Sequence, residues 1–371
     1  MKIAFISTIL GYPWGGADTL WTRAAEAASE RGDELLVSVS PEVAASPRVT
    51  ALVARGARLV ERTPAAPPKT IGARVARKIG KLGGRADPLV AALQEFRPGL
   101  VIVSLGGTYD LIHYPALVDW FAASGTRFRL IANWQQETPV LSEADRQLAH
   151  RSLALADQLR FVSTRNLLVT RRHLLDPLPK AGVIQNPLRW TPAAVSPWPA
   201  SSTARLATVS RLDEGKGIQL LLHALAALPS RDAWQLNIYG RGPAENYLRA
   251  TVDHLRLSDR VIFRGYVNGL RSIWAENQLL VSPSLEDGVP MTIPEAMLCA
   301  RPVLSTAVGG AEDWLTDDVS GFLCPAPTLP LLTATLARAL AAQSRWPAMG
   351  EAAAASAPRR YLPDDFLQLL A

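Results

Sequence analysis

Cysteine is nearly absent from this chain. Cys299 and Cys324 are the two in 371 residues, and they form no CxxC pair and no cluster with other ligand-type side chains. That argues against a disulfide framework or a zinc site and leaves two small thiols suited to the interior of a protein in a reducing compartment. Histidine is also sparse. His113, His150, His173, His223 and His254 make neither HExxH nor any other ligand spacing. There is no GxSxG nucleophile turn and no P-loop. No uncharged apolar run reaches 18 residues, which excludes a transmembrane helix as an expectation. The apolar start Met1–Ile6 runs within a few residues into Gly11-Tyr12-Pro13. It reads as a first strand and a loop, too short for a secretory leader, and places the chain in the cytosol.

Hydrophobic residues are 48% of the chain and charged residues 19%. A sizeable core is therefore available, and a length of 371 residues suggests two domains. The net charge of +6 is uneven. Residues 1–187 carry 23 Lys and Arg against 16 Asp and Glu, and the remainder carries 16 against 17. A basic first half can attract nucleic acid, anionic lipid or a phosphorylated substrate. No stacking-aromatic or groove-helix motif accompanies it, so nucleic acid is not expected as a partner.

Short apolar runs alternate with helical patterns. Lys2–Ser7, Glu34–Ser40, Leu100–Leu105, Arg129–Ala132, Gln158–Ser163 and Ala181–Ile184 read as strands, with helices over Thr19–Arg31, Leu89–Phe96 and Ser142–Ala156. Residues 188–202, with Pro192, Pro197 and Pro199 among Ala, Ser and Thr, read as a linker between a first domain, 1–187, and a second, 203–355. In the second, Ala204–Ser210, Gln235–Tyr239, Arg260–Phe263, Gln278–Ser282, Pro302–Ser305 and Gly321–Cys324 read as strands. Gly217–Ala227, Ala244–Leu255 and Pro294–Cys299 read as helices. Residues 356–371 form a tail, with Pro363–Leu370 predicted helical and packing back on the first domain. The alternation predicts an α/β fold with two parallel, doubly wound sheets. Ligands in such sheets bind beyond the carboxyl ends of the strands.

Three loops there carry candidate chemistry. Gly11-Tyr12-Pro13-Trp14-Gly15-Gly16 joins the first strand to the first helix and can bring backbone N–H groups to an anion, although a tight turn explains it equally well. Ser210-Arg211-Leu212-Asp213-Glu214-Gly215-Lys216-Gly217 places two cations five residues apart before a helix. Both can converge on one doubly charged group, or simply lie in solvent. Ser284-Leu285-Glu286-Asp287-Gly288-Val289-Pro290-Met291-Thr292 leads into a helix carrying Glu295. Asp287 and Glu295 can accept hydrogen bonds from sugar hydroxyls, and the amides of Gly288–Thr292 can meet phosphate. The plain alternative is that both acids serve the helix end. A fourth feature is residues 69–85. Ile71, Val75, Ile79 and Leu82 share one helical face, and the six cations from Lys69 to Arg85 have no acidic residue among them. This predicts peripheral contact with an anionic membrane, unless it is an ordinary helix with a solvated basic face.

Taken in order, these motifs resemble the retaining glycosyltransferases of family 4, which have the GT-B fold of two Rossmann-like domains facing a cleft. Tyr239-Gly240-Arg241-Gly242-Pro243 is similar to that family's G-x-G-P turn. Val261–Val267 resembles its strand and loop against the nucleobase. Asp287-x7-Glu295 resembles its E-x7-E signature, and Gly309-Gly310 and Ser320-Gly321-Phe322 complete the set. The resemblance implies a nucleotide-diphosphate sugar as co-substrate, retention of anomeric configuration, no metal or other cofactor, and an acceptor left open. No DxD motif is present, in agreement. It implies that Arg211 and Lys216 hold the diphosphate, Glu295 the ribose hydroxyls and Asp287 the donor sugar. Gly15, Gly16, Gly240, Gly242, Tyr266, Val267, Gly288, Val289, Pro290, Met291 and Thr292 complete the donor site.

Two positions depart from the family pattern. Asp287 stands where Glu is usual. Asn133-Trp134-Gln135-Gln136 stands where a His-Asp pair is frequent, so Asn133, Gln136 and His113 become the candidate contacts to sugar or acceptor. Two rival readings share the fold: a nucleotide-sugar epimerase, and a nucleotide-sugar-binding protein without transferase activity.

Overall fold

The structure is a computed structural model that describes residues 1–9, 14–62, 87–138, 141–188, 195–229 and 234–371. The basic stretch 69–85 and the start of the first glycine loop lie outside the described residues. The chain divides into two units. One comprises Met1–Val162, Asn166–Pro187 and Asp364–Ala371, and the other Ser163–Arg165 and Leu188–Pro363.

The first unit holds a seven-stranded sheet: β1 Lys2–Ser7, β2 Glu34–Val39, β3 Arg58–Glu61, β4 Leu100–Gly107, β5 Arg127–Trp134, β6 Gln158–Phe161 and β7 Ala181–Val183. The strand order is β3-β2-β1-β4-β5-β6-β7, and every pairing is parallel. Parallel neighbours need a crossover, which helices such as Gly16–Glu30, Pro88–Phe96 and Glu143–Leu155 supply. Local chemistry starts them. Asp87 accepts from the N–H groups of Leu89 and Val90 with Pro88 in the first turn, and Ser142 accepts from Asp145 N–H. Ala4, Ile6, Val101, Val103, Leu130 and Ala132 lie in one buried cluster.

The second unit holds six strands: β8 Ala204–Val209, β9 Trp234–Tyr239, β10 Val261–Gly265, β11 Leu279–Ser282, β12 Val303–Thr306 and β13 Gly321–Cys324. Their order is β10-β9-β8-β11-β12-β13. Period-two alternation sends Leu206 into one core and Ala207 into the other. A parallel sheet is buried on both faces, so its strands read as continuous apolar runs. In each sheet the order reverses beside the first strand, making a switch point between β1 and β4 and another between β8 and β11.

Several elements differ from the sequence reading. The edge strand β3 and the helices Pro115–Ser124, Thr164–Leu174 and Trp346–Arg360 were not anticipated. Pro363–Leu370 contains a 3-10 turn, Asp365–Leu369, in place of an α-helix. That turn packs with the first unit: Arg129 donates to Gln368 C=O, Arg160 to Gln368 Oε1, and Gln185 N–H to Asp365 Oδ2. The tail division at 356 falls inside the helix Trp346–Arg360, and the units instead divide between Pro363 and Asp364. The described part of the proline-rich 188–202 segment is fixed to the second unit, not left as a loose connection. Gln278 Nε2 donates to Pro199 C=O and Ser201 C=O, and Arg301 donates to Ser196 C=O and Pro197 C=O. Prolines lack a backbone donor, but their carbonyls still accept from side chains.

Candidate functional site

The loops after β8 and β11 flank the switch point of the second sheet and are stitched together. Leu285 N–H donates to Gly215 C=O at 2.8 Å. Gly217, at φ +64°, closes the first loop against the second, and a Cβ there would overlap Pro283 C=O. This close approach brings Lys216 Nζ to 2.6 Å from Asp287 Oδ2. Ser284 Oγ donates to the same carboxylate oxygen at 3.3 Å. Arg211, on the same loop, reaches Asp213 Oδ2 at 2.6 Å and is exposed. Lys216 and Asp287 are largely buried. Burial works against the Lys216 ammonium, but Asp287, helped by Asp213, outweighs it and holds the pKa above the ordinary lysine value. Glu295 lies in the first turn of the helix Thr292–Leu298 that follows the Asp287 loop and is only 1% exposed.

The remaining donor-side candidates surround these loops. Gly240, at φ +129°, packs on Ser210 C=O, and Gly242 on Leu212 C=O, so neither position admits a Cβ. Gly240→Ala is expected to shift the 210–217 loop and lower stability by about 2–3 kcal/mol, since it combines a positive φ with a backbone overlap. Thermal denaturation beside Gly32→Ala, a positive-φ glycine with open space around it, separates the two contributions. Gly309 packs likewise on the carbonyls of Asp287 and Gly288, and Gly310 N–H donates to Gly288 C=O at 2.8 Å. Among the described residues, the N–H groups of Val289, Met291 and Thr292 meet no backbone acceptor, while Pro290 C=O accepts from Ile293. Tyr266 is 64% exposed, and Val267 packs against the core.

In the first unit, the sequence candidates meet a different fate. Gly15 N–H is committed to Asp18 Oδ2 at 2.9 Å within the helix cap, which leaves Gly16 as the glycine whose amide starts the helix. Asp18 is buried, which raises its pKa against hydrogen bonds from Trp21 and Gly15. Asn133 is buried, and its amide nitrogen donates to Ser104 Oγ at 2.9 Å and Leu105 C=O at 2.7 Å. Its donors therefore hold the end of β4, where the sequence reading had them facing sugar. Gln136 is exposed; the buried amide of this loop is Gln135, whose Nε2 lies 3.0 Å from His173 Nδ1. His113 is exposed at the end of the turn Asp110–His113.

Beside it stands a group that sequence reasoning missed. Asp110 Oδ2 accepts from Thr8 Oγ1 at 2.6 Å and Gly106 N–H at 3.0 Å. Burial raises its pKa, opposed by these hydrogen bonds and by the charge of His113. The signal was Gly106-Gly107 ahead of an aspartate. A Cβ on either glycine would sit 3.1 Å from the Asp110 carboxylate. Among the described residues, no group of three acidic, histidine or cysteine side chains gathers to hold a metal, and no helix is long and apolar enough to cross a membrane.

Residues 203–342 match the family model described as glycosyl transferases group 1. The group 1 stretch contains Arg211, Lys216, Asp287 and Glu295. A 115-residue stretch of the chain is 31% identical to a glycosyltransferase of Methanocaldococcus jannaschii, covering 30% of each protein. Another alignment, 27% identical over 116 residues, is to N-acetyl-alpha-D-glucosaminyl L-malate synthase of Bacillus anthracis, covering 31% of this chain and 30% of that one. The chain thus spans about a third of the length of the curated relatives it matches. Solved structures match over the full length. Anabaena HepE in complex with UDP is 19% identical with a TM-score of 0.74, covering 100% of this chain and 98% of that one. The lipopolysaccharide outer core galactosyltransferase WaaB in its apo form is 18% identical with a TM-score of 0.71, covering 100% and 99%. At these identities the likeness is one of fold, the GT-B class with two Rossmann-like α/β units.

Proposed function

We propose that this chain is a glycosyltransferase that moves a sugar from a nucleotide-diphosphate donor to an acceptor with retention of configuration. The observation that carries the reading is the stitched pair of loops at the β8/β11 switch point, with Arg211, Lys216 and Asp287 on them, inside the stretch that matches the group 1 family. The relatives' names support sugar transfer, and the UDP held by the HepE structure supports a donor of the UDP type.

The chemistry follows from charge. Breaking the sugar–phosphate bond leaves a diphosphate whose negative charge grows in the transition state, and two preorganised cations at a strand-end crevice stabilise that growth. Asp287 and Ser284 keep the Lys216 ammonium in place before the donor arrives. Glu295 accepts hydrogen bonds from ribose hydroxyls, and the amides of Val289, Met291 and Thr292 face phosphate or sugar oxygens. The sugar develops oxocarbenium character, the acceptor oxygen enters on the face the diphosphate leaves, and a departing phosphate oxygen takes the acceptor proton. No metal is required, because Arg211 and Lys216 supply the positive charge. The reading makes the chain cytosolic, and the segment 69–85 its contact with an anionic membrane.

Thermal stabilisation by UDP-, GDP- and dTDP-sugars identifies the nucleotide. NMR of the product with the stabilising donor then reads the anomeric configuration. Glu295→Gln is expected to raise the donor KM at least tenfold with an unchanged melting curve. A product of inverted configuration, or no stabilisation by any nucleotide sugar, removes the proposal.

A further inference from the structure

Resting on the donor reading above, we infer that Arg241 selects the nucleotide by its base, donating to a keto oxygen at the position where cytosine and adenine carry an amino group. Arg241 sits in the turn after β9. Its backbone C=O accepts from Leu212 N–H at 2.9 Å, and Gly240 N–H donates to Gly265 C=O at 2.8 Å. These two bonds tie the Arg211–Lys216 loop, the Gly240–Gly242 turn and the end of β10 into one continuous rim. On that rim the side chain of Arg241 is exposed and lies over the end of β10. Its Nε and Nη2 come to 3.8 Å from where a side chain on Gly265 would begin. Gly265 is at φ +68°, and the next residue is the exposed ring of Tyr266.

The guanidinium has a position without an electrostatic reason inside the protein. Among the described residues, no carboxylate lies within ion-pair reach of it. The nearby Arg264 differs: it is tied to Asn237 Oδ1 at 2.9 Å and Glu276 Oε2 at 3.2 Å. Asn237 in turn donates to Asn277 at 2.7 Å, and Asn277 to Tyr239 Oη at 2.9 Å. That buried chain fixes the ends of β9 and β10, so the floor beneath Arg241 is rigid while its own donors stay unclaimed. The floor is a glycine in the left-handed region, and the guanidinium lies at ordinary contact distance from the position a Cβ would take there. Next to it is an exposed aromatic side chain on which a base can stack.

A guanidinium offers only donors. Uracil and guanine present a keto oxygen at positions 4 and 6, where it can be received. Cytosine and adenine present an amino group there, and donor would face donor. Discrimination of this kind rests on repulsion as much as on attraction.

The test is calorimetric titration of the full chain with two matched pairs, UDP against CDP and IDP against ADP, which differ within each pair chiefly at the keto or amino position. In the pair that binds more tightly, the wild-type protein is expected to prefer the keto nucleotide at least tenfold. Arg241→Met keeps the length of the side chain and removes its donors, and is expected to reduce the preference below threefold. Pyrophosphate affinity should stay within twofold, since Arg211 and Lys216 are untouched. Arg241→Gln, which restores an amide donor, should recover part of the preference. A wild-type protein that binds both members equally, or a preference undiminished in Arg241→Met, overturns the inference and leaves the donor reading standing. Failure of the wild-type protein to bind any of the four overturns both.

Discussion

Replacing Lys216 with alanine is expected to slow glycosyl transfer by about a hundred- to a thousand-fold while the protein stays folded. The estimate follows from what one preorganised charge contributes to a growing anion in a partly desolvated site, roughly 3–4 kcal/mol. The Lys216–Asp287 pair is largely buried, so the substitution also leaves a carboxylate with less compensation, and the two effects must be separated. Lys216→Ala combined with Asp287→Ala removes both charges. It should regain stability relative to Lys216→Ala alone without regaining activity. Lys216→Arg keeps the charge but changes a point donor into a planar fork, and should recover only part of the rate.

The sign of the pH effect follows from the raised pKa. A base whose folded-state pKa is raised contributes stability that is fully present below its unfolded pKa and is lost as pH rises through the folded one. The pair therefore holds across the neutral range and weakens only in strong alkali. A loss of activity near neutral pH must come from another group. Rates and melting curves for the four proteins between pH 6 and 9 check this. A Lys216→Ala enzyme within fivefold of wild type would mean that Lys216 serves only the fold.

Legibility of the fold tracked how each element is stabilised. Strands at the middle of each sheet announce themselves because both faces are buried: Ile3–Ile6, Val101–Val103 and Leu279–Val281 are uninterrupted apolar runs. The edge strand β3, Arg-Leu-Val-Glu, is polar at both ends and partly exposed, so it carries neither an apolar run nor a clear alternation. The helix Trp346–Arg360 was lost in an alanine-rich stretch that contains Pro358, a residue that ordinarily argues against a helix interior. Among candidate site residues, legibility depended on whether the reason for a residue is local. Glycines that permit loop-to-loop contact, such as Gly217 and Gly240, stand out in sequence because no other residue fits. Partners far apart in sequence do not. The pairing of Lys216 with Asp287, 71 residues on, and of Thr8 with Asp110, 102 residues on, comes from strand order, which no local pattern encodes. The commitment of the Asn133 amide donors is hidden for the same reason, since Ser104 and Leu105 belong to the neighbouring strand.

The largest expected loss of stability lies away from the loops, at Arg301. The residue is 1% exposed and, among the described residues, its guanidinium faces no acidic side chain at hydrogen-bond range; it is surrounded by backbone carbonyls. Nε donates to Asn277 C=O at 3.0 Å, Nη1 to Cys299 C=O at 2.9 Å, and Nη2 to Pro197 C=O at 2.8 Å and Trp274 C=O at 2.5 Å. The face of the group also lies over the Trp198 ring, 5.2 Å from its centroid. Burial pulls its pKa down to about 10, which still leaves it charged at neutral pH. A buried charge is tolerated only where fixed dipoles replace its water, and the carbonyls do that here. They belong to three segments that this one side chain ties together: the proline-rich stretch before β8, the end of the helix Leu270–Trp274, and the turn after the helix Thr292–Leu298.

Arg301→Met keeps much of the volume and leaves these carbonyls without a donor. The expected cost is about 3–5 kcal/mol, which for a unit of this size lowers the melting temperature by roughly 10 °C. Arg301→Lys should recover little, because one ammonium cannot reach carbonyls arranged around a planar fork. Proteolysis provides the spatial check. If Arg301 pins the proline-rich stretch, cleavage near Pro197–Ser201 should accelerate in both variants before global unfolding begins. A melting temperature within 2 °C of wild type in Arg301→Met would show that the carbonyls find other donors.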